Sequence, residues 1–115
     1  MPESILIADD DKAMLNLYTR IFSGRGYVFT LAASFSEAAG LIKNNDYDLL
    51  VTDLMFPDGI GTELMKLFEG KKAGAKSLLV TGYAPIADLP GTAQCFEKPF
   101  KVETFMAAVE KALRV

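Results

Sequence analysis

A chain of 115 residues, half of them hydrophobic, suits one domain with a sizeable core and leaves little room for a second. Its 12 basic and 15 acidic residues give a net charge of −3, which offers no global pull toward nucleic acid or an anionic membrane. Histidine is absent and cysteine occurs once, so Ser-His-Asp catalysis, histidine metal ligation, a phosphohistidine carrier role, an intrachain disulfide and a Cys-rich zinc site all drop out.

The chain opens with neither a basic n-region nor a long apolar h-region, and MPES reads as a natural start. No apolar run approaches the roughly 18 residues that a bilayer span needs. With a single cysteine, this fits a reducing cytosol and a cytoplasmic protein.

The apolar pattern predicts alternating strands and helices. Ser4 to Ala8 (SILIA) has the short apolar run of a strand buried on both faces. Asp11 is placed to cap the helix that follows, where Met14, Leu15, Leu17, Tyr18, Ile21 and Phe22 recur at helical spacing and Gly24 and Gly26 end it. Val28 to Ala32 is a second strand. Ser34 and Glu37 form a capping box for a second helix carrying Ala38, Leu41 and Ile42. Asp48 to Thr52 is a third strand, and Leu64, Met65, Leu67 and Phe68 mark a third helix. Ser77 to Thr81 is a fourth strand, Cys95 to Glu97 ends a fifth, and Phe105, Met106, Val109, Ala112 and Leu113 line the last helix.

Strands alternating with helices imply parallel βαβ units, and five of them make a doubly wound α/β fold with a five-stranded parallel sheet. In that architecture sites form at the carboxyl ends of the strands, near the topological switch point. Asp9, Asp10 and Asp11 follow strand one, Asp53 ends strand three, Thr81 ends strand four, and Lys98 with Pro99 ends strand five. Each alone has an ordinary reading: a helix cap, a structural threonine, a surface lysine. Likewise, Asp58-Gly59 alone is a turn signal. Together, on one rim, they crowd carboxylates that a hard divalent cation would relieve. Mg²⁺ suits them, because it takes oxygen ligands and keeps several waters.

The segments ILIADDD (Ile5 to Asp11), DLLVTDLMFPDGIG (Asp48 to Gly61), LLVTG (Leu78 to Gly82) and EKPF (Glu97 to Phe100) carry a resemblance along nearly the whole chain. The sequence resembles the receiver domains of two-component response regulators, with the flavodoxin-like topology of the chemotaxis receiver. The resemblance implies that residues 1–115 are one receiver domain and that Asp53 is the phosphoacceptor. Asp10, Asp53 and the backbone carbonyl of Met55 would ligate Mg²⁺, with Asp9 assisting through water. Thr81 would donate to a phosphoryl oxygen, Lys98 would pair with Asp53 or the phosphate, and Pro99 would be cis. The donor would be a sensor histidine kinase or a histidine phosphotransfer protein, the downstream effector being unspecified, with no nucleic acid and no membrane bound by this domain. Such a protein catalyses its own phosphorylation and dephosphorylation and does not turn over small substrates. A carboxylate nucleophile needs no general base, so the missing histidines belong to the partner.

Two features depart from the family pattern. The segment from Thr81 to Lys98 is short, and Pro85, Pro90 and Gly91 leave little room for a regular fourth helix, which is expected to be a single turn or an irregular loop. Cys95 stands at the position of the family's switch aromatic, while its neighbour Phe96 should face the other side of the sheet. That pattern predicts either a local switch in the loop from Gly82 to Gly91, with Tyr83 as its bulky reporter, or a Tyr83 that merely packs over the site and slows hydrolysis of the phosphoaspartate. Three readings compete with the phosphorylated switch. They are a degenerate receiver serving as a non-phosphorylated protein-binding platform, a metal-dependent aspartyl phosphatase, and a flavin-binding domain. The phosphatase reading would put the nucleophile after strand one. The flavin reading lacks a Ser/Thr/Gly-rich loop there.

Overall fold

Short runs of apolar residues become the strands of one parallel sheet in the computed structural model, which describes residues 3–72, 75–82 and 94–113. The elements run β1 (Ser4–Ala8), α1 (Lys12–Phe22), β2 (Val28–Ala32), α2 (Phe35–Asn44), β3 (Leu49–Asp53), β4 (Met55–Phe56), β5 (Gly59–Ile60), α3 (Gly61–Lys71), β6 (Lys76–Thr81), β7 (Gln94–Glu97) and α4 (Val102–Leu113). The five long strands pair in the order β2-β1-β3-β6-β7, every neighbour parallel. This is the expected doubly wound sheet, and its order reverses between β1 and β3. The expectation of a short or irregular fourth helix between Thr81 and Lys98 lies outside the described residues, as do Tyr83 and the rest of its loop beyond Gly82. The antiparallel pair β4–β5 was not foreseen. Two residues per strand is too short for a periodic signal, and Asp58-Gly59 read only as a turn.

Alternation along each strand divides the core in two. Leu6, Ala8, Leu50 and Leu79 pack with α2 and α3 through Ala38, Ile42, Leu64, Met65 and Phe68. Ile5, Ile7, Leu49, Val51, Leu78 and Val80 face α1 and α4, meeting Tyr18, Ile21, Phe22, Phe105, Met106 and Val109. The central strands are covered on both faces, which is why they read as continuous apolar runs rather than alternating ones. On β7, Cys95 packs on the α2–α3 side and Phe96 on the α1–α4 side, where its ring meets Phe105 edge-on at 5.8 Å. The opposite orientation expected of these two residues is therefore present.

The caps are local and mostly as the sequence suggests. Asp11 Oδ1 accepts from Ala13 N at 2.9 Å at the start of α1. Ser34 Oγ accepts from Glu37 N at 3.0 Å, while Glu37 Oε1 accepts from Ala33 N at 2.7 Å, one residue before the cap itself. The far end of α2 is closed from a distance. Lys71 Nζ donates to the carbonyls of Ile42 and Asn45, each at 2.6 Å.

Candidate functional site

Register decides which strand ends meet. Ala8 pairs with Thr52 and Asp53 pairs with Val80, so the residue after β1 comes level with Asp53 and Thr81 lies one step beyond. Thr81 in turn pairs with Glu97, which puts Lys98 just past the rim, its N–H donating to the Thr81 carbonyl at 2.7 Å. Asp9, Asp10, Asp53, Thr81 and Lys98 therefore gather on one edge of the sheet, as their positions in the sequence imply.

The carboxylates crowd closely. Asp9, Asp10 and Asp53 each present an oxygen, and these lie within 4.8 Å of one another. Asp9 is fully buried, Asp53 half-buried and Asp10 exposed. Lys98 supplies the countercharge, but not quite where expected. Its Nζ lies 3.0 Å from Asp9 Oδ2 and 3.6 Å from Asp53 Oδ2, so the hydrogen bond goes to Asp9 and Asp53 is the longer partner. Burial explains the preference, since a carboxylate sealed from water needs a direct cation more than one that retains some solvent. Asp9 also accepts from Asp11 N at 2.9 Å, and Asp53 accepts from Leu54 N at 2.8 Å.

These contacts do not fully compensate the cluster. Burial pushes the Asp9 carboxyl above its ordinary value, against the opposing pull of the Asp11 N–H and Lys98. Burial, reinforced by the negative charge of Asp9, does the same to Asp53. Among the described residues, one ammonium for three carboxylates leaves the rim short of positive charge. The donor set is all oxygen, partly open to solvent through Asp10, which fits a hard divalent cation such as Mg²⁺.

The chain after Asp53 turns sharply. Gly61 N donates to Leu54 O, closing the loop that contains β4 and β5. A Cβ on Gly61 would overlap the Asp53 carbonyl oxygen, so only glycine allows this approach. Met55 opens β4 with its side chain in solvent. The Lys98–Pro99 peptide bond is cis, as expected. Beneath the rim, Phe100 and Phe105 pack at 4.8 Å between centroids, and buried Tyr18 lies against both.

Two arrangements, one at this rim and one in the loop that follows Asp53, were missed by sequence reasoning. The first is the Lys98–Asp9 hydrogen bond, whose partners are 89 residues apart and leave no local signal. The second is the contact of Asp58, in the turn after Asp53, whose carboxylate accepts from Phe35 N and Ser36 N at the start of α2. An acidic residue in a turn could be suspected of serving a helix N-terminus, but nothing local says which helix.

Comparison with known proteins agrees with this geometry. The family model of the response regulator receiver domain matches residues 5–110. The acid tolerance regulatory protein ActR of Rhizobium meliloti is 29% identical, over 93% of this chain and 58% of its own. The response regulator receiver protein CpdR of Brucella abortus is 28% identical, over 95% of each chain. The crystal structure of a CheY-like receiver domain protein from Methanospirillum hungatei matches with a TM-score of 0.87 at 29% identity, covering 98% of this chain and 94% of that one. The chain spans little more than half the length of the first curated relatives it matches. With the sheet order, the strand-end residues and the match over residues 5–110 in agreement, this chain belongs to the response regulator receiver domain family of two-component signalling.

Proposed function

We propose that the chain is a phosphoacceptor switch, in which Asp53 takes a phosphoryl group from the phosphohistidine of a sensor histidine kinase or a histidine phosphotransfer protein. The observation that carries this reading is the convergence of Asp9, Asp10 and Asp53 within 4.8 Å, with Lys98 reaching both Asp9 and Asp53. Asp10, Asp53 and the Met55 carbonyl would hold Mg²⁺, with Asp9 assisting. When bound, Mg²⁺ supplies positive charge to the phosphoryl oxygens and to the carboxylates around them.

The chain's own residues do the rest. An Asp53 carboxylate oxygen attacks phosphorus and forms the new O–P bond. The bond to the donor's imidazole nitrogen breaks, and its electron pair stays on that nitrogen. Lys98 neutralises charge on the phosphoryl group, and the Thr81 hydroxyl donates to one of its oxygens. The product changes the charge and shape of the rim and so alters which proteins bind there. Neither nucleic acid nor membrane is a partner of this domain. A cytoplasmic location is part of the proposal, because the phosphoryl donors it invokes are charged from ATP. No observation favours the non-phosphorylated platform.

Incubation with acetyl phosphate and Mg²⁺ tests the reading by intact-mass spectrometry. The wild-type chain should gain one phosphoryl group, and Asp53→Ala should gain none. Labelling of Asp53→Ala at the wild-type rate would show that another carboxylate is the acceptor.

A further inference from the structure

The loop that follows Asp53 is seated on a helix by contacts outside the acidic cluster. Asp58 lies in the turn between β4 and β5, and its carboxylate grips the start of α2 with both oxygens. Oδ1 accepts from Phe35 N at 3.1 Å and Oδ2 accepts from Ser36 N at 3.0 Å. These are the first two N–H groups of α2, which have no partner within the helix. The two N–H groups, Ser36 first, hold the Asp58 carboxyl below its ordinary value, so it stays charged against the positive end of the helix.

Apolar contacts reinforce the seat. The Phe35 ring lies over Gly59 so closely that any side chain there would overlap it. The same ring meets Phe56 edge-on at 6.4 Å. The loop from Asp53 to Gly61 is thus anchored at three points: the acidic rim at its start, the Leu54–Gly61 closure at its base, and α2 at its tip. Met55 stands between the rim and the tip, paired with Ile60 across the hairpin.

We propose that Asp58 is a positioning residue for the divalent cation: by fastening the loop tip to the N-terminus of α2, it fixes the Met55 backbone carbonyl for an ion held by Asp10 and Asp53. The inference rests on the Mg²⁺ site proposed above. It makes α2 part of the site's support although no residue of α2 belongs to the acidic cluster.

Isothermal titration with Mg²⁺, on variants shown to be folded by circular dichroism, separates this role from simple helix capping. Asp58→Ala should weaken Mg²⁺ binding by roughly tenfold, the usual scale for loss of a group that orients a metal ligand. Asp58→Asn, which keeps one acceptor oxygen, should fall between it and the wild type and serves if the alanine variant does not fold. Glu37→Ala removes a different cap from the same helix without touching the loop. It should lower the melting temperature yet leave Mg²⁺ affinity within twofold. Amide exchange of metal-free Asp58→Ala should accelerate at Phe35, Ser36 and Gly61 together. If Asp58→Ala binds Mg²⁺ as the wild type does, while Asp10→Asn does not bind, the cation site stands and the positioning role is wrong. An equal loss in Glu37→Ala and Asp58→Ala would reduce Asp58 to a helix cap. A wild type that binds no Mg²⁺ overturns both the site and this inference.

Discussion

Replacing Asp53 with asparagine keeps the shape of the side chain and removes one charge from the crowded rim. The oxygens of Asp53 and Asp9 lie within 4.8 Å of each other, a repulsion worth about 3 kcal/mol at an effective dielectric constant of about 20. The attraction that asparagine also forfeits, that of Lys98 at 3.6 Å, is at least as large on the same scale, about 4–5 kcal/mol, so the pair charges roughly cancel and burial decides the sign. Burial and the charge of Asp9 outweigh Lys98 in their effect on Asp53, so its carboxyl is raised from 3.8 and its charged form is disfavoured by folding. The metal-free Asp53→Asn protein should therefore be more stable than wild type at neutral pH. The sign with pH follows. A carboxyl raised in the folded state weakens the fold once pH climbs through its folded value, and the penalty disappears toward the unfolded value of 3.8. The advantage of Asp53→Asn should shrink accordingly as pH falls. Saturating Mg²⁺ reverses the order. At a hundred times the dissociation constant it adds about 2.7 kcal/mol to a protein that binds it, and Asp53→Asn should gain much less. Urea denaturation followed by circular dichroism, with and without Mg²⁺, measures both terms, provided the slope is common to the two proteins. An Asp53→Asn protein that is less stable than wild type without metal, or whose advantage is constant across pH, would refute the electrostatic account of the rim.

Two other perturbations test neighbouring parts of the same site. Lys98→Met strands the fully buried Asp9 without its cation. It should cost about 3 kcal/mol at neutral pH, with the loss narrowing on acidification as Asp9 takes up a proton; a urea midpoint within error of wild type would exclude a structural role for this pair. Gly61→Ala drives a methyl group into the Asp53 carbonyl and must move the loop backbone. The expected loss is about 1–3 kcal/mol with slower labelling by acetyl phosphate, and an unchanged labelling rate would show that the loop tolerates the shift.

The fold was legible because its signals are local. A strand covered on both faces shows as an unbroken apolar run such as Ile5 to Ala8, and a helix on a sheet shows as the spacing of Tyr18, Ile21 and Phe22. Parallel connection then sends every strand's carboxyl end to the same edge, so Asp9, Asp10, Asp53, Thr81 and Lys98 could be grouped before any distance was measured. The capping groups Asp11, Ser34 and Glu37 were equally readable, since each acts on a backbone group within four residues. The pair β4–β5 escaped because two-residue strands have no period to detect.

What the sequence alone determined is therefore the family of the fold, the sheet edge that carries the chemistry and the residue types on it. Only the tertiary structure decided how those residues are partnered. Lys98 turns to Asp9 because Asp9 is the more deeply buried carboxylate, and burial is a property of the assembled sheet rather than of any segment. Asp58 reaches Phe35 and Ser36 across 22 or more residues because α2 and the hairpin happen to meet on one face of that sheet. Lys71 closes the other end of α2 for the same reason. Periodicity reports which face of an element is apolar. The geometry that pairs two distant polar groups exists only once the elements have packed.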